Sequence, residues 1–173
     1  MKLHLLFQTS CLSAYYDLSN DWLYLDWLGE LTLANVQQAC LALADCYLKR
    51  PYAHILNSNE RVTGVNWDIA VWLATDFLKL MPLAGIEHVA WIYSPSLRGQ
   101  NMVHTVLSWL PGSRITTFGD VSDAYAWLTH IRTGQSRSYL LLQRTPATQA
   151  KLRQAVQALH QRVATSRRKL HAA

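Results

Sequence analysis

The sequence predicts an α/β fold: a mostly parallel sheet with crossover helices, opened by an N-terminal strand hairpin and followed by a C-terminal helix. Three observations predict it. From Trp22 on, strand-like and helix-like segments alternate four times. Residues 53–57 are a short, largely apolar run between two helical stripes, as expected of a strand covered on both faces. At residue 132 the charge changes sign, which separates a basic helical tail (132–173) from an α/β body (1–131).

Residues 4–8 and 14–18 read as short strands. In residues 22–28, Trp22, Tyr24, Asp26 and Leu28 point one way, and Leu23, Leu25 and Trp27 the other. Ser19-Asn20-Asp21 is turn chemistry, so the second and third strands form a hairpin. Gly29 is expected to close the third strand. Thr32 caps a helix to about Leu48, whose stripe is Val36, Cys40, Leu43 and Tyr47; Lys49 and Arg50 suit its C-terminal dipole and Pro51 stops it.

After the strand at 53–57 a polar loop is expected, and Asn66 then caps a helix to about Met81. That helix has two apolar stripes: Trp67, Ala70, Val71, Ala74, Leu78 and Met81 on one face, Ile69, Trp72, Leu73 and Leu80 on another. Two apolar faces need two neighbours, in the same domain or on another chain. Residues 87–93 are a strand, 97–109 a helix, Pro111-Gly112 a turn and 114–118 a strand; Asp120 caps a helix over 121–131. In the tail, residues 139–143 are an added strand or a hydrophobic link. Thr145-Pro146 is the N-cap and first residue of a helix to about Leu170. Its Leu152, Val156, Leu159 and Val163 repeat at coiled-coil spacing, with Ser166 interrupting before Leu170.

Length, composition and charge narrow the function classes. The 173 residues suit one domain with an appended element, and a half-apolar composition is enough for a real core. No run approaches the roughly 20 apolar residues that cross a bilayer, and the N-terminus is too short in apolar residues for a signal peptide. A cytoplasmic protein is expected. Cys11, Cys40 and Cys46 show no CxxC spacing and read as buried reduced thiols. Residues 1–131 carry a net −4 and residues 132–173 a net +9.

Two local patterns carry a resemblance. The segment DWLYLDWLGELTLANVQQAC (21–40) resembles the early strand and first helix of the STAS-like domain, and FGDVSDAYAWL (118–128) its last strand and helix. STAS is the fold of bacterial anti-sigma-factor antagonists, and the similarity is to the branch related to CRAL-TRIO lipid-binding proteins. It covers about residues 16–131 and implies a binding or regulatory module. Phosphorylatable antagonists carry a D-S-S-G-like motif where this chain reads Asn57-Ser58-Asn59-Glu60-Arg61-Val62-Thr63-Gly64, so their serine switch is not implied here. A deep lipid pocket would need more helical sequence than this chain has.

The candidate site is the polar stretch Asn57, Ser58, Asn59, Arg61, Thr63 and Asn66, read as a loop above a helix N-terminus that favours an anion. Tyr93, Ser94 and Arg98, after the next strand, would border the same rim. These groups serve equally to satisfy turns and cap helices. The seven histidines lack metal-ligand spacing, and no nucleophile elbow, Walker A or dinucleotide fingerprint is present, so no metal, cofactor or catalytic residue is assigned. Ile69, Trp72, Leu73, Leu152, Val156, Leu159 and Val163 are the expected oligomer interface, most simply of a dimer.

Three function classes stay open. One is a non-enzymatic binding or regulatory module, its protein partner or small anionic ligand sitting at 57–66. Another is a nucleic-acid-associated protein acting through residues 132–173. The third is an enzyme with an unrecognised site.

Overall fold

In the computed structural model, described for residues 1–109, 114–134 and 144–171, the chain builds one six-stranded sheet in the order β1-β2-β3-β4-β5-β6. The strands are β1 (Leu3–Gln8), β2 (Leu12–Asp17), β3 (Trp22–Leu31), β4 (His54–Val65), β5 (His88–Ile92) and β6 (Ile115–Phe118). β1, β2 and β3 pair antiparallel; β3, β4, β5 and β6 pair parallel. The α/β alternation and the N-terminal hairpin are therefore as the sequence predicts. The turn at 111–112 and the segment 139–143 lie outside the described residues.

Local chemistry explains the boundaries. In the β2–β3 turn, Asp21 takes φ 55°, and the Asp17 carboxylate accepts from Ser19 N at 2.9 Å and Asn20 Nδ2 at 2.6 Å. Thr32 and Asn35 form a reciprocal cap on α1 (Leu33–Lys49). Gly29 does not end β3. With φ 75° it sits at a register irregularity and lets the strand continue to Leu31. β4 consequently has a partner out to Val65, opposite Leu31, and the polar stretch is strand rather than loop.

Two further differences concern helices. α2 begins at Asp68 after an N-cap at Trp67 that makes no side-chain bond, so Asn66 is not the cap. It is α-helical only over Asp68–Trp72, then widens to a π-turn at Leu73–Phe77 and tightens to a 3₁₀ turn at Leu78–Leu80. α3 (Leu97–Ser108) is capped by Ser96, and α4 (Val121–Gly134) by Asp120, whose Oδ1 accepts from Ser122 N and Asp123 N.

The sheet's two faces are unequally covered. α1, α2 and α3 cover one face, where Leu25, Ile55, Ile69, Leu73, Phe77 and Val89 join the main core. Among the described residues, the other carries only α4, whose Ala124 and Leu128 pack on Trp22, Leu56, Ala90 and Ile92. α5 (Pro146–His171), with Thr145 accepting from Thr148 N, lies on α1 and the end of α2.

Candidate functional site

Strand alternation splits the polar stretch between the two faces. Asn57 and Asn59 are buried on the face packed by α1–α3. Ser58, only 1% exposed, donates from Oγ to Glu60 Oε2 at 3.1 Å. Arg61 is ion-paired to Asp26, its Nε 3.1 Å from Oδ1. Thr63 and Asn66 are exposed. Farther on, the Tyr93 hydroxyl lies 3.5 Å from Nε2 of His104. Ser94 is buried with its Oγ 2.9 Å from that of Ser96, and Arg98 is exposed in the first turn of α3. The expected anion-binding rim is thus not what the backbone builds. β3 runs alongside to Leu31 and keeps β4 extended, and the Arg61 charge is already matched by Asp26.

What the strands do bring together is a row across the sheet. Leu25, Asn57, Trp91 and Thr117 are register partners on β3, β4, β5 and β6, so their side chains share one face. Above this row lies a cavity of about 60 Å³. Its walls include Leu43 and Tyr47 of α1, Leu73 and Phe77 of α2, and Met102 of α3; Asn57, Asn59 and Trp91 contribute polar atoms. The π-turn of α2 supplies Leu73 and Phe77, and such helix irregularities recur at functional sites.

The polar atoms in this cavity are unevenly satisfied. Trp27 Nε1 donates to Asn57 Oδ1 at 2.9 Å. An indole N–H is only a donor, so this bond fixes which end of the amide is oxygen. The Asn57 Nδ2 is then left buried with no partner, and so is Trp91 Nε1. Asn59 is anchored by Nδ2 donating to Ile92 O at 2.8 Å. A buried donor without a partner costs about 1–3 kcal/mol, and here two are adjacent on neighbouring strands. The titratable wall groups are Cys40 and Tyr47, both held neutral because burial pushes the thiol and the phenol well up.

Of the residues expected at the site, the cavity takes Asn57 and Asn59 and leaves the others outside it. Sequence reasoning missed Trp27 and Trp91. The available signal was Asn57 itself, an amide at the end of an apolar strand flanked by tryptophan-bearing strands.

The expected oligomer-interface residues find their burial within the chain. Ile69 and Leu73 belong to the main core, and Trp72 stacks on Phe77 with centroids 6.1 Å apart. Leu152, Val156, Leu159 and Val163 are all at most 2% exposed, with α5 seated on α1. These residues are buried as expected, but their neighbours are the protein's own helices; in the other stripe of α2, Trp67 and Val71 stay exposed. Among the described residues, no three His, Cys, Asp or Glu side chains gather as a metal site, and no helix is long and apolar enough to cross a membrane.

No family model matches the chain, and no curated protein does. Among solved structures, it is similar to an uncharacterized protein of the DUF3478 family with a SpoIIAA-like fold from Shewanella loihica PV-4. The two are 21% identical, the match covers 70% of this chain and 99% of that one, and the TM-score is 0.47.

Proposed function

We propose that the protein is a non-enzymatic binding module of regulatory character, and that its site is the cavity between β3–β5 and helices α1–α3. One observation carries this reading: an apolar cavity lined by two register partners, Asn57 and Trp91, whose Nδ2 and Nε1 are buried and unpartnered. Apolar walls with a few convergent polar groups are the usual build of a small-molecule site. The lining offers neutral donors and hydrocarbon, which hold and orient a ligand but move no proton at neutral pH.

Occupancy would be felt by α2, whose π-turn forms one wall, and α2 is the element from which a partner protein would read the bound state. The nucleic-acid reading has less behind it. Arg144, Arg162 and Arg167 of the tail hold body groups, namely backbone carbonyls and Asp76, which leaves fewer of the tail's charges for phosphate.

A fragment screen on ¹⁵N-labelled protein tests the proposal. Binders should shift the Asn57 side-chain amide and the Trp91 indole, and a cavity-filling Leu73→Trp variant that remains folded should lose them. If every hit maps elsewhere and survives Leu73→Trp, the cavity is not the site.

A further inference from the structure

The two orphan donors say more than that something binds. We propose that the cavity's ligand is an uncharged carbonyl compound (a ketone, aldehyde, ester or amide) whose oxygen accepts from both Asn57 Nδ2 and Trp91 Nε1. This rests on the reading of the cavity as the binding site.

The polarity of the site selects an acceptor. Asn57 Oδ1 is taken by Trp27, Asn59 Nδ2 is taken by Ile92 O, and the two nitrogens left over can only donate. Position selects a single atom. Asn57 and Trp91 are direct register partners on parallel strands, which lie about 4.8 Å apart. A carbonyl oxygen has two lone pairs in one plane, and one such oxygen between the strands can receive both N–H groups.

Charge selects a neutral molecule. No Lys, Arg or His is among the lining residues, so a carboxylate would be buried with no counter-charge. Desolvating an unpaired ion costs far more than two hydrogen bonds return. Size selects a compact apolar head. About 60 Å³ is less than half of a cavity that takes benzene, about 150 Å³. The walls around the donors are side chains such as Leu73, Phe77 and Met102, which favour carbon over further polar atoms.

Three probes of nearly one shape separate these terms: acetone, isobutene and acetate. They are titrated into the full-length ¹⁵N-labelled chain, reading side-chain N–H resonances, with Trp91→Phe identifying the Trp91 indole signal among those of the seven tryptophans. Acetone should saturate and move both the Trp91 indole and Asn57 amide protons downfield. Isobutene should enter without that downfield movement, and acetate should not enter. Trp91→Phe should weaken acetone about fivefold, the factor for one hydrogen bond of about 1 kcal/mol, and leave isobutene unchanged.

If isobutene enters but acetone gives no downfield shift, or if Trp91→Phe affects the two alike, the carbonyl assignment falls and the cavity reading stands. If none of the three produces a saturable shift at either residue, the cavity reading falls as well. A crystal grown in saturating acetone that shows only water on the two nitrogens also overturns the assignment.

Discussion

His54 sits fully buried on β4 beneath α4, its ring stacked on His88 with centroids 5.4 Å apart and planes 7° apart. Burial, then the neighbouring His88, lowers its pKa from 6.5 to about 4; Arg132 adds to the lowering and Asp21 opposes it. His88 is itself lowered by burial, with Glu87 opposing and Arg114 adding. In the unfolded chain His54 takes up a proton near 6.5, whereas in the folded chain it resists down to about 4. The unfolded state binds more protons between these values, so the stability that is whole above about 6.5 is lost as pH falls toward 4. The loss from this one group is of order 3 kcal/mol. Urea midpoints from pH 7.5 to 4 should fall along that window, and His54→Leu should flatten the curve; a curve just as steep would place the titration elsewhere. Gly99 shows a second kind of residue constraint. A Cβ there would stand 2.6 Å from Ser94 Oγ and 2.9 Å from Ser94 Cβ, and Ser94 is itself buried. Gly99→Ala should therefore lower stability by about 1–3 kcal/mol, seen as a drop in melting temperature, although alanine is the better helix former.

At the scale of elements, α5 and α1 depend closely on each other. α1 ends with free carbonyls, and the tail supplies their donors. Arg144 donates to the carbonyls of Tyr47, Arg50 and Ala84, and Gln149 Nε2 donates to Leu48 O at 3.1 Å. At the far end Arg167 reaches Ala34 O, so the two helices run antiparallel. His160 meets Asp45, and Arg162 Nε lies 2.7 Å from Asp76. Burying the stripe of four side chains contributes roughly 6–12 kcal/mol before ordering costs. Leu159→Asp places a carboxylate in that seam. It should release α5, with the helical circular dichroism of up to 26 residues lost and the β-sheet signal kept. Arg144→Met should cost about 2–4 kcal/mol, because it orphans several partly buried carbonyls at once, while Lys151→Ala on the exposed side should change little. These elements also show what the sequence could convey. Periodicity located the stripe of α5, but a stripe does not name its acceptor; the clue was charge, since Asp45 and Asp76 belong to the acidic body. Caps are legible at Thr32, Asp120 and Thr145 because capping is local chemistry. The sequence marks β4 only to residue 57 because polar residues normally signal a loop. Here Asn57 and Asn59 occupy buried strand positions, a fact set by pairing with β3. The same non-local pairing hid Trp91 as the neighbour of Asn57, so half of the site's donor pair could be named and its meaning could not.

For the molecule as a whole, the unequal covering of the sheet sets the order in which it opens. One face joins β2–β5 to α1, α2, α3 and α5 in a single large core. The other joins α4 to the sheet through a cluster of six buried hydrophobic residues, two of them its own, with Trp22 and Tyr125 in edge contact at 5.3 Å and Trp127 against Phe118 at 5.3 Å. Local opening energies follow the apolar area a unit buries, so α4 is the element expected to detach first. Native-state hydrogen exchange should show α4 amides opening by a sub-global step, well below the free energy that protects the β3–β4 pair. The two scales meet at His54 and His88, which lie on the α4 face, where His88 contacts Trp127 edge-on at 5.9 Å. When α4 opens, these histidines can take up protons that the closed state refuses, so lowering the pH from 7 to 5 should reduce the opening energy of α4 more than that of α1 or α5. The cavity is on the opposite face, and its lining groups do not titrate in this range. A ligand held there should therefore raise protection in α1 and α2 at either pH and leave the acid response of α4 unchanged. If ligand and acid instead acted on the same amides, the sheet would be coupling its two faces, and the independence argued from their separate cores would be wrong.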